Sequence, residues 1–196
     1  MITIIDYGMG NVGSIKNMLK RIDVPSEVSG DPKQIVKSKK LILPGVGAFD
    51  NAMRILDESG ISTSIREACV KGAHILGICL GMQLLATRSE EGNCQGLNLI
   101  SGSVKKFEGT VDLKVPHMGW NTVEFDQNEE IAAHLEDNRF YFVHSFYFVP
   151  DHYMHSIGST LYGQKFTSVV RSENVIGAQF HPEKSHRYGM RLLLNY

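Results

Sequence analysis

The sequence predicts an α/β fold: a mostly parallel central sheet with helices on both faces and additional antiparallel strands in its second half. Three observations carry this expectation. Short continuous apolar runs alternate with helical periodicity through the first half, the pattern of parallel strands buried on both faces. The second half is β-branched and aromatic, with little helical periodicity. No fixed-period repeat, low-complexity run or Pro/Ser-rich linker divides the chain, so a single domain over residues 1–196 is expected.

Residues 2–6 (ITIID) read as a buried strand. Residues 11–21 then place Val12, Ile15, Leu19 and the following Ile22 on one apolar stripe. Residues 40–43 (KLIL) form a second strand, stopped by Pro44-Gly45, and a weaker strand around residues 26–28 lies between the first two. Helices are expected over 49–58 and 61–71, and a third strand over 74–78 (HILGI), which makes His74 a core-strand residue. Residues 96–107, 113–125, 140–149 and 166–180 are the β-rich second half. RSEN at 171–174 has the composition of a hairpin turn, and 185–194 is a closing helix.

Composition narrows the function classes. The 20 Lys and Arg balance 21 Asp and Glu, a net charge of −1, and the charges are interspersed. A nucleic-acid groove needs surplus cations to neutralise phosphates, so none is expected. Three cysteines without C-x-x-C spacing do not make a disulfide scaffold and point to a reducing compartment. Asp6 interrupts the N-terminal apolar run, and the nearly apolar stretch 75–86 is too short to span a membrane. A cytoplasmic protein with no membrane contact is the expectation.

The strongest local signal is GICLG at 77–81, which follows a buried strand and opens the apolar run MQLLA. A nucleophile at such a turn takes a strained conformation, flanking glycines relieve the crowding, and the helix N-terminus favours the thiolate. A buried structural Cys79 is the plainer reading. Among eight histidines, His181 in QFHPEKS stands out at a strand end. Glu183 lies two residues on, on the same side of an extended backbone, where its carboxylate fixes the imidazole tautomer. An ordinary surface His-Glu pair is the commoner outcome of that spacing. PGVGAF at 44–49 ends the KLIL strand, where α/β sheets gather their sites, and its glycines leave N–H groups free for an oxyanion. Taken alone it is a strand-to-helix turn.

Two other signals lead away from this chemistry. Residues 8–13 match G-x-G-x-x-G, but Tyr7 intervenes after the strand, the acidic partner is ambiguous between Glu27 and Asp31, 14 and 18 residues beyond Gly13, and no substrate half follows. A glycine turn for packing or partner contact fits better than a dinucleotide site, and no cofactor is expected. His152-x-x-His155 lacks further ligands, so no metal is expected.

PGVGAF, GICLGMQLL and QFHPEKS, in this order and at these separations, resemble the class I (triad-type) glutamine amidotransferases. DYGMGN at 6–11, PHMGWN at 116–121 and YFVHSF at 141–146 resemble a narrower branch, the glutaminase subunits of imidazole glycerol phosphate synthase. The resemblance covers residues 4 to about 188 and implies that family's fold. It also implies glutamine hydrolysis, with ammonia passed to a separate (β/α)8-barrel synthase/cyclase subunit in a heterodimer. Such a barrel takes about 250 residues, more than this chain holds. By the resemblance, Cys79 attacks the glutamine amide, His181 is acid and base, and Glu183 orients His181. Leu80 with Val46 or Gly47 forms the oxyanion hole. Gly47, Gln83, Glu91 and the backbone at Ser145 and Phe146 hold the substrate, with Phe146 where tyrosine is common.

Asn11, Trp120, Tyr141 and Lys184 match family positions at the partner junction and ammonia passage, although Trp120 also reads as a core aromatic. The glycines around Val46 permit a peptide rotation that aims an N–H only in the activated complex. Two other readings compete: a paralogous glutaminase feeding a sugar-amidating synthase of surface-polysaccharide biosynthesis, and a catalytically silent regulatory or binding module.

Overall fold

The computed structural model describes residues 1–109, 113–127, 129–135 and 137–196. Its first half contains β1 (Ile2–Ile5), α1 (Val12–Arg21), β2 (Ser26–Ser29), α2 (Pro32–Lys37), β3 (Lys40–Gly45), α3 (Phe49–Glu58), α4 (Ile61–Val70), β4 (His74–Cys79) and α5 (Leu80–Leu84). The second half contains β5 (Arg88–Ser89), β6 (Cys94–Gln95), β7 (Gly102–Lys106), β8 (His117–Thr122), β9 (Glu124–Phe125), β10 (Arg139–His144) and β11 (Phe146–Pro150). It ends with β12 (Ser156–Tyr162), β13 (Gln164–Ser172), β14 (Val175–Ala178) and α6 (His186–Asn195).

Strands β2-β1-β3-β4-β14 run parallel in that spatial order. Side chains alternate between the two faces, and each face is covered. Ile5, Leu41, Leu43 and Ile75 pack with α2, α3 and α4, while Ile4, Ile42, Leu76 and Ile78 pack with α1 and α6. The fold class expected from the sequence is the one observed. From β14 the sheet continues antiparallel through β13, β11 and β7, and β12 pairs with β13. β8 and β10 form a separate two-stranded antiparallel sheet. The hairpin at RSEN is present: Ser172 pairs with Val175, and Glu173 takes φ +51° in the turn.

Several details correct the sequence reading. β3 does not stop before Pro44-Gly45 but runs through both, pairing Pro44 with Ile78 and Gly45 with Cys79. Proline is tolerated because β1 pairs only with Leu41 and Ile42, so beyond them β3 has one neighbour and a missing N–H costs no bond on the other side. β2 lies between β1 and β3 along the chain but at the sheet edge in space. His74 begins β4 and is exposed rather than part of the core. Helix α2 was not expected from periodicity, yet Asp31 caps it by accepting from the Lys33 N–H at 3.0 Å, with Pro32 in its first turn.

Beneath the β8–β10 sheet lies an aromatic core in which Phe140 and Phe180 stack at 4.0 Å, both fully buried. Phe180 directly precedes His181, so this stack anchors the segment leaving β14. Replacing Phe180 by Ala is expected to cost about 3–5 kcal/mol of unfolding free energy, measured as a lower urea midpoint at unchanged m-value.

Candidate active site

The site sits beyond the carboxyl ends of the parallel strands, where open α/β sheets place ligands. Cys79 is the last residue of β4 and the residue before α5, with φ +55° and ψ −110°. A non-glycine residue rarely adopts a positive φ, and holding one there costs on the order of 1–3 kcal/mol. The flanking glycines are both forced. A Cβ on Gly77 meets Gly81 O at 2.6 Å, and a Cβ on Gly81 overlaps the Leu43 carbonyl. α5 therefore leaves β4 at a pitch that only Gly77 and Gly81 permit.

Strand register brings the other elements to Cys79. Gly45 pairs directly with it, so the Val46-Gly47 loop leaves β3 alongside, with Gly47 at φ +110°. On the other side Ala178 pairs with Ile78, and Gln179 follows, its Nε2 3.9 Å from Cys79 Sγ. His181 lies two residues beyond and is 1% exposed. Its Nδ1 is 2.9 Å from Glu183 Oε1, with both side chains buried. The expected extended backbone is absent: Pro182–Lys184 forms one turn of 3-10 helix, which brings the carboxylate under the ring.

His181 Nε2 is buried without a hydrogen bond of standard geometry. Burial opposes protonation of His181, but the Cys79 thiol and the Glu183 carboxylate outweigh it and lift the imidazole to about 10. A protonated imidazole beside a cysteine is the environment in which the sulfur reacts as thiolate.

Cys79, Leu80 and His181 line a cavity of about 570 Å³ together with Val46, Gly47, Gln83, Glu91, Ser145, Phe146 and Lys184. The structure thus gathers all the residues expected to bind substrate, and Glu183 stands behind His181. Glu91 also accepts from the Phe49 N–H at 2.9 Å, holding the start of α3, and burial raises its carboxyl above the ordinary range. Sequence reasoning missed the remaining walls, Pro116, Val143 and His144. It also gave Tyr7 no role. That side chain is buried and donates to Pro44 O at 2.9 Å, fixing the DYGMGN loop against the start of the Val46-Gly47 loop.

The four residues expected at a partner junction divide three to one. Tyr141 pairs with Trp120 across β10 and β8, and their rings meet edge to face at 6.2 Å. Lys184 Nζ lies 5.9 Å from the centre of the Tyr141 ring. Trp120 is 46% exposed, which excludes the core-aromatic reading. Asn11 stands apart, just before α1, in the loop whose Gly10 abuts Pro44.

The family profile described as "Glutamine amidotransferase class-I" matches residues 3–195. The chain belongs to the class-I glutamine amidotransferase family. Within that family it is 48% identical to imidazole glycerol phosphate synthase subunit HisH 2 of Methanococcus maripaludis, covering 100% of this chain and 98% of that one. Identity is also 48%, with the same coverage, to HisH 2 of Pseudomonas aeruginosa. Among solved structures, PurLQS from Thermotoga maritima superposes with a TM-score of 0.76 at 18% identity, covering 99% of this chain and 95% of that one. A crystal structure of glutamine amidotransferase gives 0.73 at 20% identity, covering 98% of each chain. These structural likenesses show the family's fold.

Replacing Glu183 by Gln is expected to lower the His181 pKa, read by NMR titration of the ring. Because folding raises this pKa from 6.5 to about 10, its contribution to stability is fully present below about pH 6.5 and is lost as pH rises through about 10. The stability difference between Glu183→Gln and the unaltered chain therefore shrinks over that window.

Proposed function

We propose that residues 1–196 form one glutaminase domain that hydrolyses L-glutamine to glutamate and ammonia and supplies the ammonia to the cyclase barrel of imidazole glycerol phosphate synthase. The observation that carries the reading is Cys79 at φ +55° on a strand-to-helix turn, in one cavity with His181, which is bonded to buried Glu183. Full-length identity of 48% to HisH proteins supports the choice of synthase.

The chemistry follows from the charge state of the pair. Cys79 Sγ, as thiolate, attacks the side-chain carbonyl carbon of glutamine. The developing oxyanion is met by the Leu80 N–H and an N–H of the Val46-Gly47 loop. His181 gives its proton to the departing nitrogen, so the C–N bond breaks, ammonia leaves and a γ-glutamyl thioester remains. The now neutral ring takes a proton from water, whose oxygen attacks the thioester carbonyl. Expulsion of Sγ regenerates the thiolate–imidazolium pair and releases glutamate. Gln83, Glu91 and the backbone at Ser145 and Phe146 hold the α-amino acid end, as the family resemblance assigns them.

The docking face is the apolar ground beside the cavity mouth. Val46, Met118 and Trp120 are 44%, 61% and 46% exposed, and Tyr141 and Lys184 border Trp120. A barrel subunit seated there keeps ammonia from water, in a heterodimer working in the cytoplasm. The Asn11 loop lies apart from Trp120 and is fixed by Tyr7 to Pro44, at the start of the Val46-Gly47 loop.

Cys79→Ala is expected to abolish glutamine hydrolysis with folding and partner binding intact; retained turnover contradicts the assignment. Glutamine turnover is expected to rise when the barrel subunit and its nucleotide acceptor are added. Equal turnover by the isolated chain rules out the rotation of the Val46 peptide as a gate. Stimulation by a sugar-amidating synthase instead identifies the chain as that paralogue.

A further inference from the structure

Two buried histidines, His144 in the cavity wall and His117 behind it, have no part in the chemistry above. His117 and His144 stand directly opposite each other in the register of β8 and β10. His117 is 2% and His144 6% exposed. His117 Nδ1 and His144 Nε2 are 2.9 Å apart. His144 Nδ1 lies 2.8 Å from Phe146 O, and Asn121 Nδ2 lies 3.2 Å from His117 Nε2.

The acceptor at one end fixes every proton in this series. A backbone carbonyl only accepts, so His144 carries its hydrogen on Nδ1 and its Nε2 is the acceptor. His117 must then donate from Nδ1, which leaves its own Nε2 to accept from Asn121. The Asn121 amide is oriented independently, donating to Leu161 O at 3.0 Å while its Oδ1 accepts the Thr122 N–H at 2.8 Å. Each ring is neutral in this pattern, and a second proton on either one sets two donors against each other. Burial acts in the same direction, holding His117 near 4 and His144 near 3.

The far end of the relay reaches the substrate wall. Phe146 O also accepts from Gln83 Nε2 at 2.9 Å, and the other Nε2 hydrogen goes to Gln179 Oε1 at 3.1 Å. With both its hydrogens engaged, Gln83 turns its Oε1 into an acceptor with no donor among the described residues. An acceptor at that wall suits an ammonium group. We propose that His117 and His144 are positioning residues for glutamine: their neutral relay fixes the Phe146 carbonyl, and through it the Gln83 amide, toward the substrate's α-amino end. The inference rests on the glutaminase reading of the cavity.

Two measurements test it. In long-range 1H–15N spectra of the unaltered chain at neutral pH, both rings are expected as neutral Nδ1–H tautomers. An Nε2–H tautomer or a charged ring at either position overturns the relay. Glutamine kinetics are then measured on the complex with the barrel subunit. His144→Phe removes the donor to Phe146 and is expected to raise KM for glutamine roughly fivefold to tenfold, with kcat within about twofold. His144→Asn places an amide N–H near Nδ1 and is expected to restore most of the lost affinity. His117→Phe keeps the stack on Tyr162, now at 3.9 Å, and shifts KM in the same direction as His144→Phe.

If His144→Asn behaves like His144→Phe, or if the loss falls on kcat with KM unchanged, the positioning role is wrong while the glutaminase reading stands. A complex of the unaltered chain that leaves glutamine intact overturns both.

Discussion

The site depends on one local constraint, the turn by which β4 becomes α5 at Cys79. The strand is buried and paired on both sides, to β3 and to β14, so it cannot relax to relieve the positive φ. The helix must start at once, and it starts close against β3: Gly81 lies under the Leu43 carbonyl, and Gly77 under Gly81 and Met82. A methyl group at either glycine pushes the helix away and turns the thiol out of the cavity. Strain at a single residue is thus held by the register of three strands. That same register delivers Gly45 on one side and Gln179 on the other. The proposed oxyanion loop and the proposed general base therefore reach Cys79 from neighbouring strands.

The parallel sheet supplies only part of the cavity. The remaining wall comes from the chain's crossing between its two sheets, at residues 144–146. There β10 ends at His144 and β11 begins at Phe146, while the intervening Ser145 carbonyl accepts the Phe107 N–H at 3.0 Å. β10 is tied to the His181 segment by two more bonds, His181 N–H to Tyr141 O at 2.9 Å and Tyr141 N–H to Ser185 Oγ at 3.0 Å. The exposed Trp120–Tyr141 face and the buried His181–Glu183 pair are accordingly two sides of one bonded unit.

Much of this was legible in the sequence, for physical reasons that also mark where legibility stops. Helices α1, α3 and α4 show as apolar stripes, and β1, β3 and β4 as continuous apolar runs, because each buries a face against its sequence neighbours. G-x-C-x-G and H-P-E are readable because their geometry is set within a few residues. The β8–β10 sheet is different. Its alternation of buried Phe140, Phe142 and His144 is present in the sequence, but its partner lies some twenty residues away, with β9 between them. Nothing local says that these two strands leave the main sheet. Pro44 misled because its cost depends on whether a second neighbour is present, a tertiary fact. His117 and His144 were in view within PHMGWN and YFVHSF, yet spacing does not reveal that two rings will be buried facing each other.

The buried histidines also explain how one crevice keeps a single mobile proton. His181 and His144 are near enough to repel when both are charged, and that repulsion contributes to holding His144 down. Their environments separate them further. His181 faces a carboxylate and a thiol and is raised; His144 faces a backbone carbonyl and a second neutral ring and is lowered. Groups driven apart in this way take distinct roles, one fit to exchange a proton during the reaction and the other fixed. Were His144 to charge, its Nε2 would carry a hydrogen facing the Nδ1–H of His117, and the bond between the two rings would be lost. A carbonyl at one end and an amide at the other leave it no charged state in which all its hydrogen bonds survive. The proton that the proposed chemistry moves therefore resides on His181, held there by Cys79 and Glu183, while the neighbouring pair stays neutral.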